Sequence, residues 1–121
     1  MSSYIQPKIK AYNAEIALPK FTFVKFGTAQ DGVLLSGAAE RSFGVNMTND
    51  VEINCVAEVA LIGGGALVKL AGTVAKGDSI TSDASGLGIV ATSGDFCPAI
   101  AMDSGVTGDV ISVILDVHAA I

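Results

Sequence analysis

The side chains with the most chemistry to offer are Cys55, Cys97 and His118, the two thiols and the single imidazole of a 121-residue chain. A thiol beside a histidine can serve as a nucleophile, and Cys and His at short spacings hold zinc. Here the separations are 42 and 21 residues, which match no zinc pattern. Cys55 falls on the apolar face of an alternating run, where a free cysteine packs as a small hydrophobe. Cys97 precedes Pro98 near a turn, and His118 belongs to the outward set of the last strand. These residues read as two packed thiols and a surface imidazole, without catalysis or metal.

The stretch "TVAKGDSITSDASGLGIVATSGD" (73–95) packs Gly, Ser, Thr and Asp as densely as a phosphate or calcium loop. Its apolar residues nevertheless recur as in strands. No D-x-D-x-D-G loop is present, and "GGGALVK" lacks the spacing of a phosphate loop. The nine acidic residues after position 48 are spread singly over turns and strands, with no carboxylate pair spaced for acid–base work. "AIAMDSG" (99–105) approaches the Ala-Met-Lys hairpin of biotinyl and lipoyl carrier domains, but Asp103 stands at the acceptor position, so a covalent cofactor has no attachment point. No cofactor or small-molecule substrate is expected. Lys76-Gly77-Asp78 and Asp83-Ala84-Ser85-Gly86 read as turns that fix strand register. Gly77 and Gly86 would supply positive φ, and Asp78 and Asp83 would accept nearby backbone N–H bonds.

The elements around these turns follow a period of two. In 51–62, Val51, Ile53, Cys55, Ala57, Val59 and Leu61 share one face, opposite Glu52, Asn54 and Glu58. In 109–119, Ile111, Val113, Leu115 and Val117 alternate with Ser112, Asp116 and His118. In 41–48, Phe43, Val45 and Met47 oppose Ser42, Gly44, Asn46 and Thr48. "FTFVKF" and "ALVKLAG" are shorter strand candidates. Glycine-rich turns separate these runs at short intervals, and no long helical period is found. The expected fold is all-β: one compact domain of short antiparallel strands, a sandwich or small barrel, over residues 21–121.

Residues 1–20 break this pattern with two prolines and no clean alternation. Their apolar anchors are separated by polar or basic residues, which suits an extended arm lying on another surface. The contact residues expected are Tyr4, Ile5, Pro7, Lys8, Ile9, Lys10 and Tyr12. On this reading, deleting residues 1–18 leaves the β-domain folded.

Charged residues make up only 16% of the chain, against about 25% in typical domains, and mean hydropathy is +0.58. A free monomer needs a charged exterior, so part of this surface is expected to be covered in a homo-oligomer. Residues 1–48 carry a net +2 and residues 49–121 a net −7, which points to different partners for the two ends. The overall −5 argues against nucleic acid, whose phosphates need clustered cations. No apolar run approaches the roughly 20 residues of a membrane span. Neither a secretory leader nor a disulfide framework is evident, so synthesis in a reducing cytoplasm is expected.

Four segments together resemble the small capsid decoration (cement or head-stabilising) proteins of tailed bacteriophages. They are "FVKFGTAQDGV", "RSFGVNM", "CVAEVALIGGGALVKLAGTVAKGDSITSDASGLGIVAT" and "PAIAMDSGVTGDVISVILD". The resemblance covers roughly residues 21–121, and the order and spacing of the pieces carry it. The chain departs from the pattern in its longer N-terminal segment and in "CPAIAMD", where members commonly have a glycine near Ala99. The resemblance implies a non-enzymatic virion protein on the outer surface of an assembled icosahedral head. It would bind the major capsid protein, as a trimer, and clamp neighbouring shell subunits. The competing reading is a β-sandwich binding module for carbohydrate or a host surface. Such modules grip sugars with exposed aromatic planes, and this chain has no Trp, two Tyr and five Phe.

Overall fold

A computed structural model describes residues 8–119. Ten strands occur among them and no helix. β1 (Ile9–Ala14), β2 (Phe23–Phe26), β3 (Gly32–Leu35), β4 (Gly44–Asn46) and β5 (Val56–Leu61) close a barrel in the order β1-β3-β2-β4-β5. β6 (Gly65–Lys69), β7 (Ser79–Ser82), β8 (Gly88–Val90), β9 (Phe96–Ala101) and β10 (Val110–Ala119) form a second sheet in the order β6-β10-β9-β7-β8. The architecture is therefore all-β, a barrel backed by a sheet.

Alternation along the strands builds two cores. Val24, Val33, Ala57 and Val59 fill the barrel with Tyr12, Ala14, Leu18 and Val51. Phe23, Val45 and Ala60 leave the barrel on the other side and pack against Val68, Ile80, Ala99, Val113 and Leu115 of the sheet. Backbone bonds cross the same seam: Phe23 N–H to Gly86 O at 2.8 Å, Ala39 N–H to Ser82 O at 2.9 Å, and Lys69 N–H to Phe21 O at 3.0 Å. The second of these cores thus joins the two layers.

Several expectations change. The strands are not all antiparallel, because β1 pairs parallel to β3 through Asn13–Gly32 and Ala14–Val33. The N-terminal segment is no free arm from residue 9 onward. β1 pairs with five residues of β5, and Tyr12, Ala14 and Leu18 are buried in the barrel. Its irregular alternation reflects a short strand followed by a bridge between Leu18 and Val51. Cys55 is exposed, not packed, and Ile53 is exposed as well. The strand begins only at Val56, after a turn in which Asn54 takes φ +68 and throws both side chains outward. Cys97 is buried.

Asn46 and Ser42, expected to face solvent, are both buried: β4 is covered on both faces, and Ser42, just before it, pairs its hydroxyl with that of Ser36 at 2.7 Å. Asn46 instead organises the approach to the barrel. Its Nδ2 donates to Leu18 O (3.2 Å), Pro19 O (3.0 Å) and Thr48 O (3.2 Å), and its Oδ1 accepts from Thr48 N–H at 3.0 Å. The charge asymmetry also softens in three dimensions. Asp50, Glu52 and Glu58 join the barrel segment, leaving about −1 on residues 8–61 and −4 on residues 65–119.

The glycine–aspartate turns share one construction. In 75–78, 92–95 and 106–109 the Asp Oδ2 accepts the N–H three residues earlier, each time at 2.9 Å. The Asp N–H closes the turn onto the same residue's carbonyl, each time at 3.0 Å. Gly77, Gly94 and Gly108 take φ of +92, +90 and +91. The fourth turn differs: Asp83 Oδ1 accepts from Ser85 N–H at 2.8 Å and Leu87 N–H at 3.0 Å, and Gly86 has φ +77.

Candidate docking surface

Cys55, Cys97 and His118 do not assemble into one site. Cys55 lies on the exposed turn before β5, whereas the backbones of Cys97 and His118 are register partners on β9 and β10. Cys97 is fully buried, with its Sγ 3.5 Å from Asp95 O. Among the described residues no group of three His, Cys, Asp or Glu could hold a metal ion. Asp83 and Asp78 spend carboxylate oxygens on their own turns, and Gly77 and Gly86 supply the backbone reversals.

What the fold does assemble is an aromatic end to the barrel. Phe26 closes β2 on the face that carries Val24 inward, but it lies where the strand runs out, so 65% of it is exposed. Its ring stacks on Phe43 with centroids 4.0 Å apart and planes 3° off parallel. Phe43 meets Tyr12 edge-on at 5.2 Å. The Lys10 ammonium stands 4.9 Å from the Tyr12 ring centre and pairs with Asp31 Oδ1 at 3.3 Å. Both partners of that pair are more than half exposed, so it adds little to stability and can exchange partners. Lys8 precedes β1 on the same strand line, its carbonyl accepting from Leu61 N–H at 2.7 Å and its ammonium lying near Gly63.

The hairpin that carries Phe26 is anchored by Glu15. Its carboxylate accepts from Thr28 N–H (3.0 Å), Thr28 Oγ1 (2.9 Å) and Ala29 N–H (2.9 Å). The Thr28 backbone bond, then that of Ala29, holds the Glu15 carboxyl below its ordinary value of 4.5. A Cβ at Gly27 or Gly32 would run into this carboxylate, which explains glycine at both positions. On the adjoining loop, Glu40 receives Lys25 Nζ at 2.8 Å and Gly37 N–H at 2.6 Å. The Lys25 bond is the main reason its carboxyl also lies low.

The expected contact residues divide accordingly. Tyr4, Ile5 and Pro7 lie outside the described residues. Lys8, Ile9 and Lys10 are exposed, with Ile9 on the outer face of β1. Tyr12 is 9% exposed and belongs to the core. Sequence reasoning missed Phe26 and Phe43. A phenylalanine at the end of a strand run is the only signal, and it does not tell an inward ring from an exposed one.

No protein-family model and no curated protein matches the sequence. Among solved structures, the chain is similar to the head fiber gp8.5 N base of bacteriophage phi29, with a TM-score of 0.74. The match covers 92% of this chain and 95% of that one, at 11% identity. At this identity the likeness establishes a shared fold.

Proposed function

We propose that this chain is a structural, non-enzymatic virion protein. It binds the outer surface of an assembled phage head and stabilises it by clamping neighbouring major capsid protein subunits. The observation that carries the reading is the fold shared with a head fiber base over nearly the whole of both chains. Compatible with it are a composition poor in charge and an aromatic barrel end beside Lys10. Exposed aromatic rings beside cations are typical anchors of protein interfaces.

In this account the protein acts as a homo-oligomer, a trimer, so that several weak contacts engage the shell together and gain through effective concentration. The barrel end supplies the anchor, with Phe26 at its centre. The N-terminal residues Tyr4, Ile5 and Pro7 extend the contact from Lys8 and Ile9.

The test is sedimentation of the protein with undecorated heads of the virus that encodes it. Phe26→Ser is expected to keep its thermal stability to within about 1 kcal/mol and to lose at least roughly tenfold in head affinity. Equal binding by the variant would remove the barrel end from the contact. The competing reading, a carbohydrate-binding module, is favoured by the same exposed ring. Retention on glycans with no retention on heads would establish that reading instead.

A further inference from the structure

Away from the barrel end, a groove of about 540 Å³ opens along the seam between barrel and sheet. That volume lies within the usual range of binding clefts. Pro19, Leu87 and Val110 give it apolar lining, and Lys20 and Lys69 contribute its cations. Val110 is 43% exposed there.

Phe21 organises this groove in a strained conformation. Its φ is +62, a region that a bulky side chain rarely enters, and such outliers concentrate at functional sites. Its N–H donates to Asn46 O of the barrel at 2.8 Å, and its carbonyl accepts from Lys69 N–H of the sheet at 3.0 Å. The same residue carries the Lys20 ammonium 4.7 Å from its ring centre. One strained residue therefore sets the places of both lysines.

Neither ammonium group is held in an ion pair. The ion pairs found among the described residues are Lys10–Asp31 and Lys25–Glu40, and neither involves the groove. Asp50, the carboxylate in the lining, already accepts Lys20 N–H through Oδ1 at 3.1 Å. With Asp50 counted, the two lysines leave a net +1 in the lining beside apolar surface, in a chain of net charge −5. A small free anion gains little from exposed ammonium groups in water and makes no use of Pro19, Leu87 or Val110. A nucleic acid needs a longer run of cations.

We propose that the groove binds an extended acidic segment of a protein partner. A carboxylate would sit between Lys20 and Lys69, and an adjacent apolar side chain would lie against Leu87 and Val110. This stands apart from the shell-binding reading, since it concerns a different face and needs no head to be tested.

The experiment is an NMR titration of the full-length, isotope-labelled protein with the capped peptide Ac-Glu-Leu-Asp-Leu-NH2. Its lysine counterpart Ac-Lys-Leu-Lys-Leu-NH2 and inorganic phosphate serve as the other arms. Saturable shifts are expected at the amides of Lys20, Lys69 and Leu87 with the acidic peptide, and none with the basic one. The double variant K20A/K69A should weaken binding about tenfold while keeping a dispersed spectrum. K69Q should weaken it less. The proposal is overturned if the groove amides do not respond, if the basic peptide serves equally, or if phosphate alone reproduces the shifts with the same affinity. It is also overturned if dilution alone moves the same amides, which would give the groove to a second copy of this chain.

Discussion

Gly77 and Gly86 both hold positive φ, yet a side chain would meet different surroundings at each. A Cβ at Gly77 finds nothing within 4 Å, whereas one at Gly86 meets Leu35 Cδ1 at 2.6 Å and Phe23 O at 3.3 Å. Gly77→Ala is therefore expected to cost only the backbone penalty, about 1–2 kcal/mol. Gly86→Val adds a clash at the seam and should cost roughly 2–4 kcal/mol, with head binding falling only as far as folding does. Thermal melts of the two variants check the ranking, and equal losses would contradict it. Asn46 offers a second residue-scale case. Asn46→Ala removes the side-chain donor to Thr48 O and the acceptor of Thr48 N–H, while Leu18 O keeps Val51 N–H and Pro19 O keeps Thr22 Oγ1, for an expected loss of roughly 1–3 kcal/mol by denaturant titration. The sequence made the turn glycines legible because positive φ has few other occupants. It hid Asn46 because alternation reports one buried face, and β4 has two.

At the scale of elements, β1 decides what a truncation does. The sequence supports an arm over residues 1–20, but Ile9–Ala14 pair with both β3 and β5 and close the barrel. Deletion through residue 14 is therefore expected to abolish the cooperative melt, whereas deletion through residue 7 should leave it intact. A folded product lacking β1 would show that the barrel closes without it. Most strands were readable from alternation and turn residues, since a half-buried strand imposes period two. β1 was not, because its partners lie far along the chain and parallel pairing leaves no hairpin signature. The turn at 52–55 was missed because an apolar alternation ran straight through it. The common build of the three Gly-Asp turns was present in the sequence as a recurring x-x-Gly-Asp, and only the geometry shows that the carboxylates do the same task.

For the whole molecule, acid is the condition that reports on the stitched loops. Glu15 and Glu40 titrate below the ordinary 4.5 when folded, so the unfolded chain holds more protons than the native one in acid. Their contribution is complete at neutral pH and is lost as the pH falls below 4.5 through their folded values. Glu15→Gln should lower stability at neutral pH and make the acid decline shallower, as read by melts across that range. An unchanged slope would show that Glu15 does not couple the hairpin to folding.

In the proposed function, a phage head covers the charge-poor exterior and the exposed barrel end of this protein. The measurement that tests this most directly is the amount of wild-type protein that sediments with purified undecorated heads as its concentration rises. A plateau at a fixed number of copies per head, with heads that then withstand heating better, is the result expected. Protein that stays in the supernatant at every concentration would contradict it.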